Sequence, residues 1–161
     1  MPDVHDSDIF NLAPIPMWIE DFSGVHTLFE QWRGQGVSDI RGFLREDVSR
    51  VAECSKRIVV LDVNTKTLEL FEAESVDHLR ANLSQVFRDD MLETHINELA
   101  ELFDGNLTFA STTVNYSLSG KRLDIQLRGA VMPGYEATLG KLLLTTEDIT
   151  AREDARRAEM A

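Results

Sequence analysis

Apolar residues recur at helical spacing through the first two-thirds of the chain and at period two through the last third. Ala13-Pro14-Ile15-Pro16 is a stiff entry, because each proline restricts its own φ and its predecessor. Met17–Glu20 then reads as a short strand. Ser23 is placed to cap a helix carrying Val25, Leu28, Phe29 and Trp32, which Gly34 and Gly36 end. Ser38 and Asp47 are placed to cap two more short helices, one with Ile40, Phe43 and Leu44, the other with Val48, Val51 and Ala52. Ile58-Val59-Val60-Leu61 reads as a buried strand ending at Asp62-Val63-Asn64. Leu68, Leu70 and Phe71 belong to a helix of one or two turns, and Ser75 starts another with Val76, Leu79 and Leu83. From Asp89 to Phe103 one helix is expected, with Leu92, Ile96, Leu99, Leu102 and Phe103 as its apolar stripe.

The period changes after Asp104-Gly105-Asn106. Thr108–Leu118 is rich in Thr, Val and Tyr, and Ser119-Gly120 is a tight hairpin signal. Leu123, Ile125, Leu127 and Val131 alternate with Arg122, Asp124, Gln126 and Arg128, giving a strand with one wet face on which Asp124 and Arg122 are expected to meet water. Residues 132–140 form a longer turn, and Leu142–Thr146 completes a three-strand meander. On this alternation Val114, Tyr116, Ile125, Leu127 and Leu144 are expected to face inward. Thr150 followed by Glu153 has the spacing of a capping box, and an Ala-, Glu- and Arg-rich helix follows. The sequence stops inside that helix, which suggests an output helix continuing into another segment.

Length, charge and cysteine count then narrow the class. The 161 residues fit one domain. The formal charge is −12, which disfavours a nucleic-acid partner. That charge is uneven: residues 1–63 carry net −5, residues 64–105 net −7, and residues 106–161 are neutral. No apolar run has the roughly 20 residues needed to span a bilayer, and the N-terminus does not resemble a signal peptide. Cys54 is the single cysteine, so no intrachain disulfide forms, and a cytoplasmic location is expected.

Three motifs together resemble the PAS domain. Asp148-Ile149-Thr150 is similar to the Asp-Ile-Thr motif that closes many bacterial PAS domains and leads into the signalling helix. Asp62-Val63-Asn64 with Leu68-Glu69-Leu70-Phe71 resembles the segment where the second strand ends and a small helix begins. Gly120-Lys121-Arg122-Leu123-Asp124-Ile125 resembles the hairpin before the fourth strand. The resemblance covers about residues 58–150 as an order of segments. Trp18-Ile19-Glu20-Asp21-Phe22-Ser23 is similar to the start of bacterial sensor PAS domains that carry a helical insertion, here about residues 24–56.

The resemblance implies an α+β fold: a five-stranded antiparallel sheet with helices over one face, a helical insertion after the first strand and a C-terminal signalling helix. Residues 1–12 would be a tail, 13–150 the sensor domain and 151–161 the start of the output helix. It also implies a homodimer, an effector in cis such as a diguanylate cyclase or a histidine kinase, and no enzymatic activity in this chain. Asp148, Ile149, Thr150 and Glu153 would transmit the signal. Two other readings stand beside it: a small α+β cavity protein acting as enzyme or carrier, and a ligand-free dimerisation module.

A pocket between the layers would be lined by Leu92, His95, Ile96, Leu99, Val114, Tyr116, Ile125, Leu127 and Leu144, with a small molecule of unknown identity as the possible ligand. Tyr116, Gln126, Arg128 and Thr146 are the polar candidates. Haem-binding PAS domains take an axial His from the helical layer, which makes His95 the haem-ligand candidate, though a partly exposed helix histidine is the plainer reading. Cys54 lacks the Asn-Cys-Arg context of a light-sensing flavin site. His5, His26 and His78 have no partner at metal-ligand spacing, so no metal site is expected. Glu93, Glu98 and Glu101 are carboxylates of one helix, and nothing in the sequence brings a second acid to them.

Overall fold

The computed structural model describes residues 6–160. In chain order the elements are α1 (Asp6–Leu12), β1 (Met17–Asp21), α2 (Ser23–Gly34), α3 (Ile40–Glu46), α4 (Ser49–Arg57), β2 (Val59–Val63), α5 (Thr65–Phe71), α6 (Val76–Ala81) and α7 (Leu83–Val86). A single 3-10 turn, Asp89–Met91, leads into α8 (Leu92–Phe103), and β3 (Thr108–Tyr116), β4 (Arg122–Val131), β5 (Leu142–Asp148) and α9 (Thr150–Met160) follow. Part of the expected N-terminal tail is therefore helical, while His5 lies outside the described residues.

The five strands form one antiparallel sheet in the order β2-β1-β5-β4-β3. The β3–β4–β5 meander pairs neighbours in sequence. The long excursion from β1 returns to the opposite side of β1, which is possible because α2, α3 and α4 fill it with helix. One face of the sheet meets the helices and holds the core, including Trp18, Ile125, Leu127, Leu142 and Leu144. The inserted helices join that core through a chain of aromatic rings: Phe43 on Trp32 at 5.1 Å, Trp32 on Phe29 at 6.2 Å, and Phe29 on Phe103 of α8 at 5.3 Å. The Arg33 guanidinium lies 4.4 Å from the Phe103 ring and donates to the Phe103 carbonyl at 2.6 Å, closing the C-terminal end of α8.

Several helix starts differ from the sequence reading by one or two residues. Asp21, not Ser23, accepts at the start of α2, taking the Ser23 N–H at 2.7 Å. Asp39, not Ser38, caps α3 by accepting the Gly42 N–H at 3.1 Å. Ser75 caps α6 as its pattern predicts, with the His78 N–H at 3.0 Å. At α9 the capping box does not form. Asp148 accepts both the Thr150 N–H at 3.0 Å and the Thr150 hydroxyl at 2.6 Å, while Glu153 pairs with Arg156 at 3.6 Å. The carboxylate wins because its hydrogen bonds are charge-assisted.

Asn64 ties three elements at one point. Its Oδ1 accepts from the Met17 N–H at 2.9 Å, the Thr67 N–H at 3.1 Å and the Thr67 hydroxyl at 3.0 Å, and its Nδ2 donates to the carbonyls of Phe10 and Ile15. One fully buried side chain thus fixes the end of α1, the start of β1 and the first turn of α5. Gly129 of β4 is required for a different reason. The Phe109 ring of β3 lies over it, and an added Cβ would meet Phe109 Cζ at 2.2 Å.

Candidate functional site

Between the sheet and α4, α7 and α8 lies a cavity of about 580 Å³. Its floor is sheet: Trp18 and Glu20 from β1, Thr113 and Asn115 from β3, Leu127 from β4, Leu144 and Thr146 from β5. Each belongs to the inward-facing set of its strand, as the cross-strand pairs Trp18 with Leu144 and Leu127 with Thr146 require. The walls are helical, with Val51 and Ser55 from α4, Phe87 and Met91 before α8, and Leu92, His95 and Glu98 on α8. Exposed Val48, Ala52, Lys56 and Ser84 lie at its rim.

Of the residues expected to line a pocket, Leu92, His95, Leu127 and Leu144 do so. Ile96, Leu99 and Ile125 are fully buried core instead. Val114 and Tyr116 are corrected: β3 presents Phe109, Thr113 and Asn115 to the interior, one residue out of phase with that expectation. A one-residue slip turns every side chain to the other face, and Thr and Asn gave no apolar signal to set the phase. Tyr116, on the outer side, donates to Asp90 at 2.7 Å, and that bond to an anion raises its phenol pKa. Arg88 stacks on its ring at 3.8 Å.

The polar groups in the cavity are its distinctive chemistry. His95 Nε2 is 2.9 Å from the Ser55 hydroxyl and Nδ1 is 3.4 Å from Glu98 Oε2. Both ring nitrogens are engaged, so ligation of a haem iron by His95 would first break one of these contacts. Glu98 Oε1 and Thr113 Oγ1 are buried with no hydrogen-bond partner among the described residues. Glu20, 7% exposed, has its carboxyl pKa pushed up to about 8 by burial and by the Glu98 carboxylate. The Trp18 indole N–H donates to the Thr146 hydroxyl at 3.0 Å, which settles that polar pair within the floor.

The structure thus brings a second carboxylate, Glu20, to Glu98, which no local sequence pattern joins to it. The sequence does signal its facing: Glu20 stands two residues from Trp18 in a short strand, so both point to one face. Cys54 is fully buried in α4, outside this lining, and its thiol is pushed up to about 12 by burial. Among the described residues no group of three or more His, Cys, Asp or Glu is placed to hold a metal ion. A second, more polar concavity of about 640 Å³ lies between α8 and the β3–β4 end of the sheet, and Glu98 stands in the wall between the two.

The residues expected to transmit a signal sit where the sheet meets α9. Ile149 is buried and its N–H donates to the Asp124 carbonyl at 2.8 Å. The Asp124 N–H donates to Thr150 Oγ1 at 3.0 Å, and the Asp124 carboxylate receives Arg157 of α9 at 2.8 Å and Arg122 at 3.1 Å. Asp124 is therefore 5% exposed rather than wet: it lies on the outer face of β4, beneath the first turns of α9.

No family profile and no curated protein matches the chain. Solved structures do. The chain is similar to the PAS domain of a LuxR-family transcriptional regulator from Burkholderia thailandensis, solved in complex with ethanol, at 14% identity and a TM-score of 0.55, over 91% of this chain and 99% of that one. It is similar to the PAS domain of a protein from Colwellia psychrerythraea at 11% identity and a TM-score of 0.59, over 91% and 95%. It is also similar to the LOV domain of a blue-light activated histidine kinase from Erythrobacter litoralis at 12% identity and a TM-score of 0.54, over 85% and 97%. The chain has the PAS fold, with its five-stranded antiparallel sheet. No helix among the described residues is long and apolar enough to cross a membrane.

Proposed function

We propose that this chain is a sensory input domain, in which a small molecule held between sheet and helices alters the seating of α9. The observation that carries this reading is a shared floor. The strands beneath the cavity, β4 and β5 with Leu127, Leu144 and Thr146, are also the strands that hold α9 through Asp124 and Asp148. A ligand that moves Leu127 or Thr146 displaces, within a few residues of the same strands, the groups that orient the helix. The cavity of about 580 Å³ far exceeds the space of one water, which favours a ligand sensor over a ligand-free dimerisation module.

In this reading α9 passes the change to an effector in cis, a histidine kinase or a diguanylate cyclase, and the chain itself catalyses nothing. It acts in the cytoplasm as a homodimer, and Cys54 and His95 carry no flavin or haem chemistry. The test joins cavity to helix. Ligands that co-purify with the protein are identified by native mass spectrometry and absorption spectroscopy, then removed and restored while backbone hydrogen exchange is followed. Occupancy is expected to change protection in residues 148–157. An occupied cavity with unchanged exchange in that segment would refute transmission through α9.

A further inference from the structure

Two carboxylates enter the cavity from opposite layers, Glu20 from the sheet and Glu98 from α8, and both are more than nine-tenths buried. Glu98 Oε2 meets His95, but Oε1 has no partner among the described residues. Thr113 Oγ1, 5% exposed on the cavity floor, is also unpartnered. Unmade hydrogen bonds of this kind are costly in a folded interior, and these two unpartnered oxygens match a ligand that brings donors. Most of the remaining surface is apolar or aromatic, as at Trp18, Phe22, Phe87 and Leu144, and the Thr146 hydroxyl is taken by the Trp18 indole. The cationic side chains of the lining, Lys56 and Arg88, are exposed at the rim, and Arg88 is engaged with Tyr116 and with the Gln85 carbonyl at 3.0 Å.

We infer that the cavity selects a small organic cation: an apolar, preferably aromatic body bearing a protonated amine or amidine that docks between Glu20 and Glu98. The inference rests on the cavity being the ligand site proposed above and adds the class of ligand. Charge complementarity carries the choice. A neutral ligand leaves the Glu98 charge unpaired, and an anion sets a second negative charge beside it, the repulsion that two ionised carboxylates would also suffer. The empty site avoids that repulsion by keeping Glu20 protonated, since its pKa stands near 8. A bound ammonium favours the ionised carboxylate, so Glu20 releases its proton to solvent on binding. The other charged or titratable groups facing this space are Glu98 and His95 from α8, Lys56 from α4, and Arg88 and Asp89 from the segment before α8.

Three probes with one body and different charge test this: tryptamine, its alcohol analogue tryptophol, and indole-3-acetate, titrated calorimetrically against the whole chain. Tryptamine is expected to bind at least tenfold more tightly than tryptophol, with the acid weakest. Its affinity is expected to rise with pH by up to about tenfold per unit below pH 8. Proton release, read by repeating the titration in buffers of different ionisation heat, is expected to vanish in Glu20→Gln. Glu98→Gln is expected to remove the preference for the amine. Both variants are isosteric and add no buried charge, and thermal melts verify that they fold.

If tryptophol binds as well as tryptamine, or the acid binds best, the cation assignment is wrong and the ligand-site reading stands. An amine preference that persists in both variants also overturns it, because the selectivity then lies elsewhere. If none of the three binds, the inference fails. An accompanying failure to find any co-purified ligand would then count against the ligand-site reading as well.

Discussion

At the scale of single residues, two buried polar side chains have opposite consequences for stability. Asn64 joins five hydrogen-bond contacts at no charge, so Asn64→Ala strands the Met17 N–H and the Phe10 and Ile15 carbonyls together, while the Thr67 hydroxyl keeps the Met17 carbonyl and the Thr67 N–H the backbone carbonyl of residue 64. A loss of about 2–4 kcal/mol in urea unfolding is expected, several times the net value of one hydrogen bond. Glu20 works the other way. Its pKa is about 8 in the folded protein against an ordinary value of 4.5. Between those values the folded chain holds a proton that the unfolded chain has released, so stability falls as pH rises through that window. The slope from this one group is up to about 1.4 kcal/mol per pH unit. Glu20→Gln is expected to flatten the profile and to be more stable than the parent at pH 8, as unfolding at pH 5 and pH 8 will measure.

At the scale of elements, the junction of β4, β5 and α9 is a local polar lock. Among the described residues no side chain of α9 is fully buried, so its position on the sheet depends on Asp124, Asp148 and Thr150 rather than on apolar area. Thr150→Val keeps the shape and removes the hydroxyl that both donates to Asp148 and accepts from Asp124. Faster hydrogen exchange through residues 150–157, with the strands unchanged, is the expected outcome for Thr150→Val and for Asp124→Asn. Global stability is expected to move by about 1 kcal/mol for Thr150→Val and by about 1–3 kcal/mol for Asp124→Asn, whose carboxylate is buried although the Arg122 and Arg157 ends of its pairs are about half exposed.

At the scale of the whole molecule, the acidic middle of the chain is partly balanced by the insertion. Arg41 of α3 reaches Glu101 at 3.1 Å and Asp104 at 3.6 Å, and Arg45 reaches Glu93 at 3.0 Å. These pairs link α3 to α8, but with side chains from 35% to 67% exposed they are screened by solvent. Arg41→Ala is expected to cost about 0–1 kcal/mol, and that difference is expected to shrink further in 0.5 M salt. The insertion is held in place by its buried apolar residues, among them the aromatic chain from Phe43 to Phe103 and Val25, Leu44 and Val51.

The sequence by itself determined the order of elements, the inserted helices and the change from helical to strand period. Those signals are local: a capping residue, a glycine stop or an alternating run speaks for its own segment. The segment motifs around Asn64, Gly120 and Asp148 pointed to the fold for the same reason, since each marks a turn or a helix start. The phase of β3 was not legible, because Thr113 and Asn115 are inward polar residues and nothing in their strand distinguishes the two faces. Nor was the burial of Asp124, which depends on α9 lying across it. Glu20 and Glu98 stand 78 positions apart in the chain. Only the packing of α8 over the sheet puts them in one cavity, and only in that shared low-dielectric space does the charge of one raise the proton affinity of the other.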